Sequence, residues 1–388
     1  MNCDKSHNLH LWCIFKNLHG VKHTMPPLSI MIKPASSLCN MRCRYCFYHN
    51  VTELREVSSF GIMTEDTADN LIEKALQFAN GESVAFAFQG GEPLLAGLPY
   101  FQHFVEKVKS ANRLHSQIYF STQTNGTLVT DEWCEFFREN NFLVGLSLDG
   151  NFEHNKFRVD EKRENAFYRI LGAAEKFKKH NVEFNILTVL TGYCADHIDE
   201  IYKYFREKGF RYLQFIPCLR PFDDNSENEL YMTSEQYGNF LVKGFNYYVK
   251  DYVRGQYTSV RWFDNIVHQF LGNPTEQCGM CGHCMHQFVV EGNGNVYPCD
   301  FYCTDEWYLG NINDENENFD TLAHGDKAIE FLRESLAVPE KCKQCKFYPV
   351  CRAGGCKRTR ADRDYCESYK KFFSSCLPLF RAFINEKK

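Results

Sequence analysis

From residue 28 to about 220 the chain alternates short apolar runs with stretches of helical period, and this rhythm limits the available folds more than any other feature. The runs 28–33, 83–89, 117–122, 143–148, 183–190 and 212–217 are continuous or nearly so, which predicts parallel strands buried on both faces. Helices are predicted between them over 64–80, 100–112, 131–140, 164–180 and 197–208, the first capped by Thr64. Six such units in series imply an α/β fold with a right-handed parallel sheet, open or curled into an incomplete (β/α)6 barrel. The two further units of a full eight-stranded barrel are not seen.

Past residue 217 the rhythm stops. Residues 220–230, with Pro221, Asp223, Asp224 and Asn225, read as a loop, and 234–253 as a long aromatic-rich helix. From 277 onward periodicity is scarce, except for a β-hairpin over 287–298 built on Gly292-Asn293-Gly294-Asn295. The expected organisation is an extension over 1–24, a partial barrel over 25–225, a helical connector over 226–276 and a cysteine-rich domain over 277–388. Lys plus Arg (44) against Asp plus Glu (49) leaves −5, so no global attraction to nucleic acid or an anionic membrane is expected. No apolar run approaches a bilayer span. The patch 9–15 is broken by His10 and no cleavage site follows it, so a cytoplasmic location is expected.

Nineteen cysteines in 388 residues, an odd number with no export signal, argue against a disulfide framework and for metal ligation. Cys39, Cys43 and Cys46 form a C-x3-C-x2-C loop just after the first strand, at the strand end where α/β folds place their sites. Three local thiols suit a [4Fe–4S] cluster with one open iron; a zinc completed by His49 is the alternative. A second group runs Cys278-x5-Cys284-x14-Cys299 and Cys342-x2-Cys345-x5-Cys351-x4-Cys356-x9-Cys366, with the hairpin returning Cys299 toward Cys284. A loop-rich segment of this kind needs a metal staple, either clusters or zincs. Cys3, Cys13, Cys134, Cys194, Cys218 and Cys376 read as core or incidental residues. The run Lys357-Arg358-Thr359-Arg360 reads as a solvated face.

Met31-Ile32-Lys33-Pro34 followed by Cys39-x3-Cys43-x2-Cys46-Phe47-Tyr48 resembles the radical S-adenosylmethionine superfamily. Over about 28–370 the chain resembles the anaerobic sulfatase-maturating enzymes, which carry a SPASM-type C-terminal iron–sulfur domain. The resemblance implies three [4Fe–4S] clusters and S-adenosylmethionine, which chelates the open iron and yields a 5′-deoxyadenosyl radical. Gln89-Gly90-Gly91-Glu92-Pro93 is similar to the family's GGE motif. Its glycines are expected to let backbone approach the methionine moiety, and its carboxylate to receive an ammonium group. By family position Tyr45, Gly91, Ser147, Arg158 and Leu219 contact S-adenosylmethionine. The first auxiliary cluster takes Cys278, Cys284, Cys299 and Cys356, and the second Cys342, Cys345, Cys351 and Cys366. The Cys351–Cys356 interval is one residue longer than the family's, and Cys281 and Cys303 are extra thiols beside expected ligands.

In Tyr297-Pro298-Cys299-Asp300-Phe301-Tyr302, Asp300 matches the family's general base, which takes a proton from the substrate thiol or hydroxyl. The implied activity is oxidation of a Cys or Ser in an unfolded sulfatase polypeptide to Cα-formylglycine, with a flavodoxin or ferredoxin as external reductant. Another peptide modification, such as a thioether crosslink, is the alternative. A non-catalytic electron carrier has no use for six βα units around an open-coordinate cluster.

Overall fold

The computed structural model describes residues 28–387 apart from 223, 225 and 363; the expected extension over 1–24, with Cys3 and Cys13, and the loop residues Asp223 and Asn225 lie outside the described residues. Six parallel strands form where the apolar runs stand: β1 (Leu28–Ile32), β2 (Val84–Phe88), β3 (Ile118–Thr124), β4 (Leu143–Ser147), β5 (Phe184–Leu190) and β6 (Tyr212–Pro217). Helix α1 (Phe47–Glu53) follows the cysteine loop. Helices α2 (Glu65–Ala79), α3 (Leu98–Ala111), α4 (Asp131–Glu139), α5 (Phe167–Lys179) and α6 (Ile198–Glu207) return the chain between strands. Local chemistry sets their limits. Thr64 and Thr130 accept the first free amides of α2 and α4, and Asn80 ends α2 in the left-handed conformation.

One face of each strand packs on these helices. Phe86 and Phe88 meet Phe104 at 5.2 and 5.0 Å, and Val144, Leu146 and Ile186 are buried in the same layer. Each such side chain stabilises the fold by about 1.5–3 kcal/mol. The expectation of burial on both faces fails for the other side. There Met31, Ala85, Ala87, Tyr119, Ser121, Gln123, Asn185 and Gln214 are half-buried and mostly polar. The barrel is incomplete, so its inner face borders a cleft instead of a second packed layer.

The sheet runs to ten strands, with β1 to β6 side by side in chain order, one further strand beside β6 and three beyond β1. At one edge β7 (Ser259–Val260) extends β6, between α7 (Ser234–Val253) and α8 (Arg261–Phe270). At the other, the expected hairpin forms from β8 (Val289–Val290) and β9 (Asn295–Tyr297), followed by β10 (Gly310–Asn311). Gly294, at φ +88°, donates to the Glu291 carbonyl and closes the turn. Strand β8 pairs in parallel with β1, Met31 opposite Val289, so the cysteine-rich segment continues the barrel's own sheet. A terminal helix, α9 (Cys366–Lys387), packs along α7 through Phe372 and Phe380 against Phe245.

Candidate active site and thiol clusters

The loop bearing Cys39, Cys43 and Cys46 leaves β1 and is pinned on both sides. The Gly91 and Glu92 amides donate to the Ser36 and Leu38 carbonyls at 2.8 Å each. Across the loop, the Arg42 and Arg44 amides donate to Val159 and Phe157 at 2.7 and 3.0 Å. Cys46 stands at the N-terminus of α1. Burial first, and then the Glu92 carboxylate, pushes the Cys39 thiol up to about 12; burial does the same for Cys43. Such thiols stay protonated in water and would lose their protons to solvent on binding a metal.

Gly91 serves this loop. A β-carbon there would overlap the Leu38 carbonyl oxygen, so the glycine admits the loop's backbone, where a close approach to the cofactor was expected. Gly91→Ala is expected to displace the loop at a cost of about 1–3 kcal/mol. The check is loss of S-adenosylmethionine binding in calorimetry while the far-ultraviolet spectrum is retained. Glu92 also differs from expectation. Its carboxylate is buried and accepts from Thr124 Oγ1, Asn125 N and Leu94 N at 2.8, 2.8 and 3.1 Å, so its oxygens are committed within the protein. Burial outweighs these donors and lifts its pKa to about 7.

Two of the residues expected at the cofactor, Tyr45 and Arg158, meet at an aspartate to which the sequence assigns no role. Asp149, fully buried, accepts from the Tyr45 hydroxyl, from Arg158 at 2.9 Å and from the Val189 amide at 2.9 Å. The Arg158 guanidinium lies 5.4 Å from the Tyr45 ring centre, and Tyr45 packs with Phe157, Cys218 and Cys43. Ser147 ends β4 on the inner face, opposite Leu187, and Leu219 lies two residues past β6; both are buried.

On the same inner face Lys33, 1% exposed, pairs with Asp300 at 2.5 Å, 267 residues away. Its ammonium also sits 3.5 Å from the Tyr48 ring centre. Burial alone would push Lys33 down, but Asp300, Cys303 and Glu291 together hold it above its ordinary value. Glu291, at the end of β8, accepts from Arg55 and Ser36 at 2.8 Å each and from the Tyr48 hydroxyl. Two cations and two carboxylates thus share one dry compartment, as buried charges require. The signal for Lys33 and Glu291 was a charge at the end of an apolar run, which becomes readable only once β8 joins β1.

Two thiol sets form in the C-terminal segment. Burial and the facing thiols of Cys356, Cys284 and Cys281 push Cys278 up to about 12; burial, Cys356 and Cys284 raise Cys299. The longer Cys351–Cys356 interval is absorbed by Gly354 and Gly355, at φ +81° and +77°. Gly355 lies against the backbone of Gly279, which brings Cys356 beside Cys278. The second set, Cys342, Cys345, Cys351 and Cys366, lines a cavity with Phe347, Tyr348 and Tyr369. Cys281 turns to Thr275 and the Gln277 carbonyl, while Cys303 faces Lys33 and donates to the Cys299 carbonyl.

These donor sets suit iron–sulfur clusters: all-thiol, soft and largely dry. His49 pairs instead with Glu53 on the exposed side of α1. The run 357–360 corrects the expected solvated face. Arg358 is buried, donating to the Arg220 carbonyl and stacked 4.2 Å from Phe222, and Arg360 donates to the Ser335 carbonyl at 2.8 Å.

Comparison with known proteins is concordant. Residues 34–205 match the radical SAM superfamily and 278–346 an iron–sulfur cluster-binding domain. A cysteine-type anaerobic sulfatase-maturating enzyme of Clostridium perfringens is 45% identical over 366 residues, covering 91% of this chain and 97% of that one. A serine-type enzyme of Bacteroides thetaiotaomicron is 30% identical over 378 residues, covering 91% and 90%. The structure of native anSMEcpe with bound AdoMet and Cp18Cys peptide superposes with a TM-score of 0.88 at 43% identity, covering 94% of this chain and 100% of that one.

Proposed function

This chain belongs to the anaerobic sulfatase-maturating enzymes of the radical S-adenosylmethionine superfamily, and on that premise we propose how its own residues divide the work. It acts on a peptide, and the reaction is conversion of a sulfatase cysteine to Cα-formylglycine. Cys39, Cys43 and Cys46 would hold the cluster, which together with S-adenosylmethionine would supply a 5′-deoxyadenosyl radical. Cys278, Cys284, Cys299 and Cys356 hold the first auxiliary cluster; Cys342, Cys345, Cys351 and Cys366 hold the second. Tyr45, Gly91, Ser147, Arg158 and Leu219 form the cofactor's surroundings, with Asp149 orienting Tyr45 and Arg158. The corresponding divisions are a barrel over 25–225, a connector over 226–276 and an auxiliary-cluster domain over 277–388.

Oxidation of the cysteine takes one hydrogen atom from Cβ, one proton from the thiol and one electron, leaving a C=S bond; water then replaces sulfur and releases hydrogen sulfide. Asp300 is the base for the thiol proton. The Lys33–Asp300 pair carries this reading, because it fixes a carboxylate on the barrel's inner face directly beside Cys299. Lys33 holds that carboxylate in place, and the half-buried polar side chains of the inner face receive the peptide. A flavodoxin or ferredoxin supplies electrons, in the cytoplasm, before the sulfatase folds. Among the described residues no helix is long and apolar enough to cross a membrane.

Anaerobic incubation of a Cys-x-Pro-x-Arg peptide with loaded enzyme, S-adenosylmethionine and reductant tests the reading. Mass spectrometry is expected to show thiol replaced by aldehyde, with 5′-deoxyadenosine formed alongside. Deoxyadenosine with an unchanged peptide would reject this substrate.

A further inference from the structure

The basic run 357–360, expected to be solvated, turns inward at the first auxiliary thiol set, and Lys357 is the member whose ammonium enters the aromatic cluster there. Lys357 follows Cys356 directly. Its ammonium sits 4.8, 4.4 and 4.4 Å from the ring centres of Tyr302, Trp307 and Phe331, and its side chain is 16% exposed. That aromatic cage packs against Cys284 and Cys299. One carboxylate, Glu334, closes the cage at 2.6 Å from the ammonium, on the half-exposed side. The adjacent Ser335 hydroxyl receives the Cys284 amide at 2.8 Å.

At the second set the corresponding residue, Lys346 directly after Cys345, is exposed and stands over one ring only, 4.9 Å from the centre of Phe347. Around that set Lys341, Lys343 and Lys370 are each about half exposed and are paired with Asp364, Glu340 and Glu367 at the surface. Water screens such charges, while the caged Lys357 ammonium, 16% exposed and paired with a single carboxylate, is screened less.

Resting on the reading that Cys278, Cys284, Cys299 and Cys356 hold a cluster, we propose that Lys357 is a positioning residue that raises that cluster's reduction potential. A fixed positive charge stabilises the reduced, more negative form, and the charge near a cluster is a recognised determinant of its potential. The consequence is selective. The set beside Asp300, where the substrate's electron is released, is biased to accept it, and the outer set is not.

Anaerobic potentiometric titration of the fully loaded, full-length enzyme, followed by electron paramagnetic resonance, reads this directly. Lys357→Met is expected to lower one of three midpoints, Lys357→Arg to restore it, and Glu334→Gln to raise the same one. Iron and sulfide content should match the parent throughout. A Lys357→Met enzyme in which every midpoint holds, or all move together, overturns the assignment. Should that variant lose iron, Glu334→Gln decides: an unmoved midpoint there overturns it equally. Cys284→Ala separates the inference from its premise. It is expected to lose one cluster's iron, and retention of full iron would remove the premise itself.

Discussion

Replacing Cys39, Cys43 or Cys46 by alanine is expected to abolish reductive cleavage of S-adenosylmethionine, leaving 5′-deoxyadenosine at the no-enzyme background. The three thiols are the whole local donor set; His49 is engaged with Glu53 on the outer side of α1 and offers no replacement. Nor does the loop have slack to recruit another ligand. It is fastened to the β2 turn through Ser36 and Leu38 and to residues 157–159 through Arg42 and Arg44. The next thiol in sequence, Cys134, is buried inside α4 and cannot reach. Chromatography for 5′-deoxyadenosine, with iron content measured in parallel, checks the expectation. Cleavage retained in any of the three variants would refute the assignment of the radical cluster to this loop. The auxiliary sets share none of these ligands, so about two clusters' worth of iron should remain.

The second large effect is an uncoupling. Asp300→Asn should leave 5′-deoxyadenosine formation intact while aldehyde formation falls by about 10²–10⁴-fold, the usual contribution of a positioned base. The two halves separate because Asp300 belongs to the sheet edge formed by β8 and β9, and the radical loop to the end of β1. Asparagine keeps the shape and can still accept from Lys33, so packing is spared while the proton acceptor is lost. Measuring both products from the same reaction distinguishes this from a general loss of activity. An unchanged ratio of aldehyde to deoxyadenosine would show that another group takes the thiol proton.

Much of this was legible in the chain because the signals are local. Strand runs, the Thr64 cap and the Gly294 turn each depend on residues within a few positions of one another. The C-x3-C-x2-C spacing marked the cluster loop for the same reason. Pattern failed on the inner face of the sheet. An apolar run predicts burial, but whether its second face meets a packed layer or a cleft depends on strands elsewhere in the chain. It failed again at 357–360, where Lys357 and Arg358 look solvated until Tyr302, Trp307 and Phe331 are brought around the first and Phe222 against the second.

The sequence by itself determined the βα order and the hairpin and gathered its cysteines into one N-terminal loop and one C-terminal segment; their division into ligand sets is what the resemblance implies. Only the tertiary structure decided that β8 lies on β1, and that single pairing sets Glu291 among Ser36, Tyr48 and Arg55 and puts Asp300 against Lys33. The physical reason is range. Local elements are selected by interactions between near neighbours, whereas a buried ion pair between residues 267 positions apart forms only after the sheet has excluded the water that would otherwise solvate both charges.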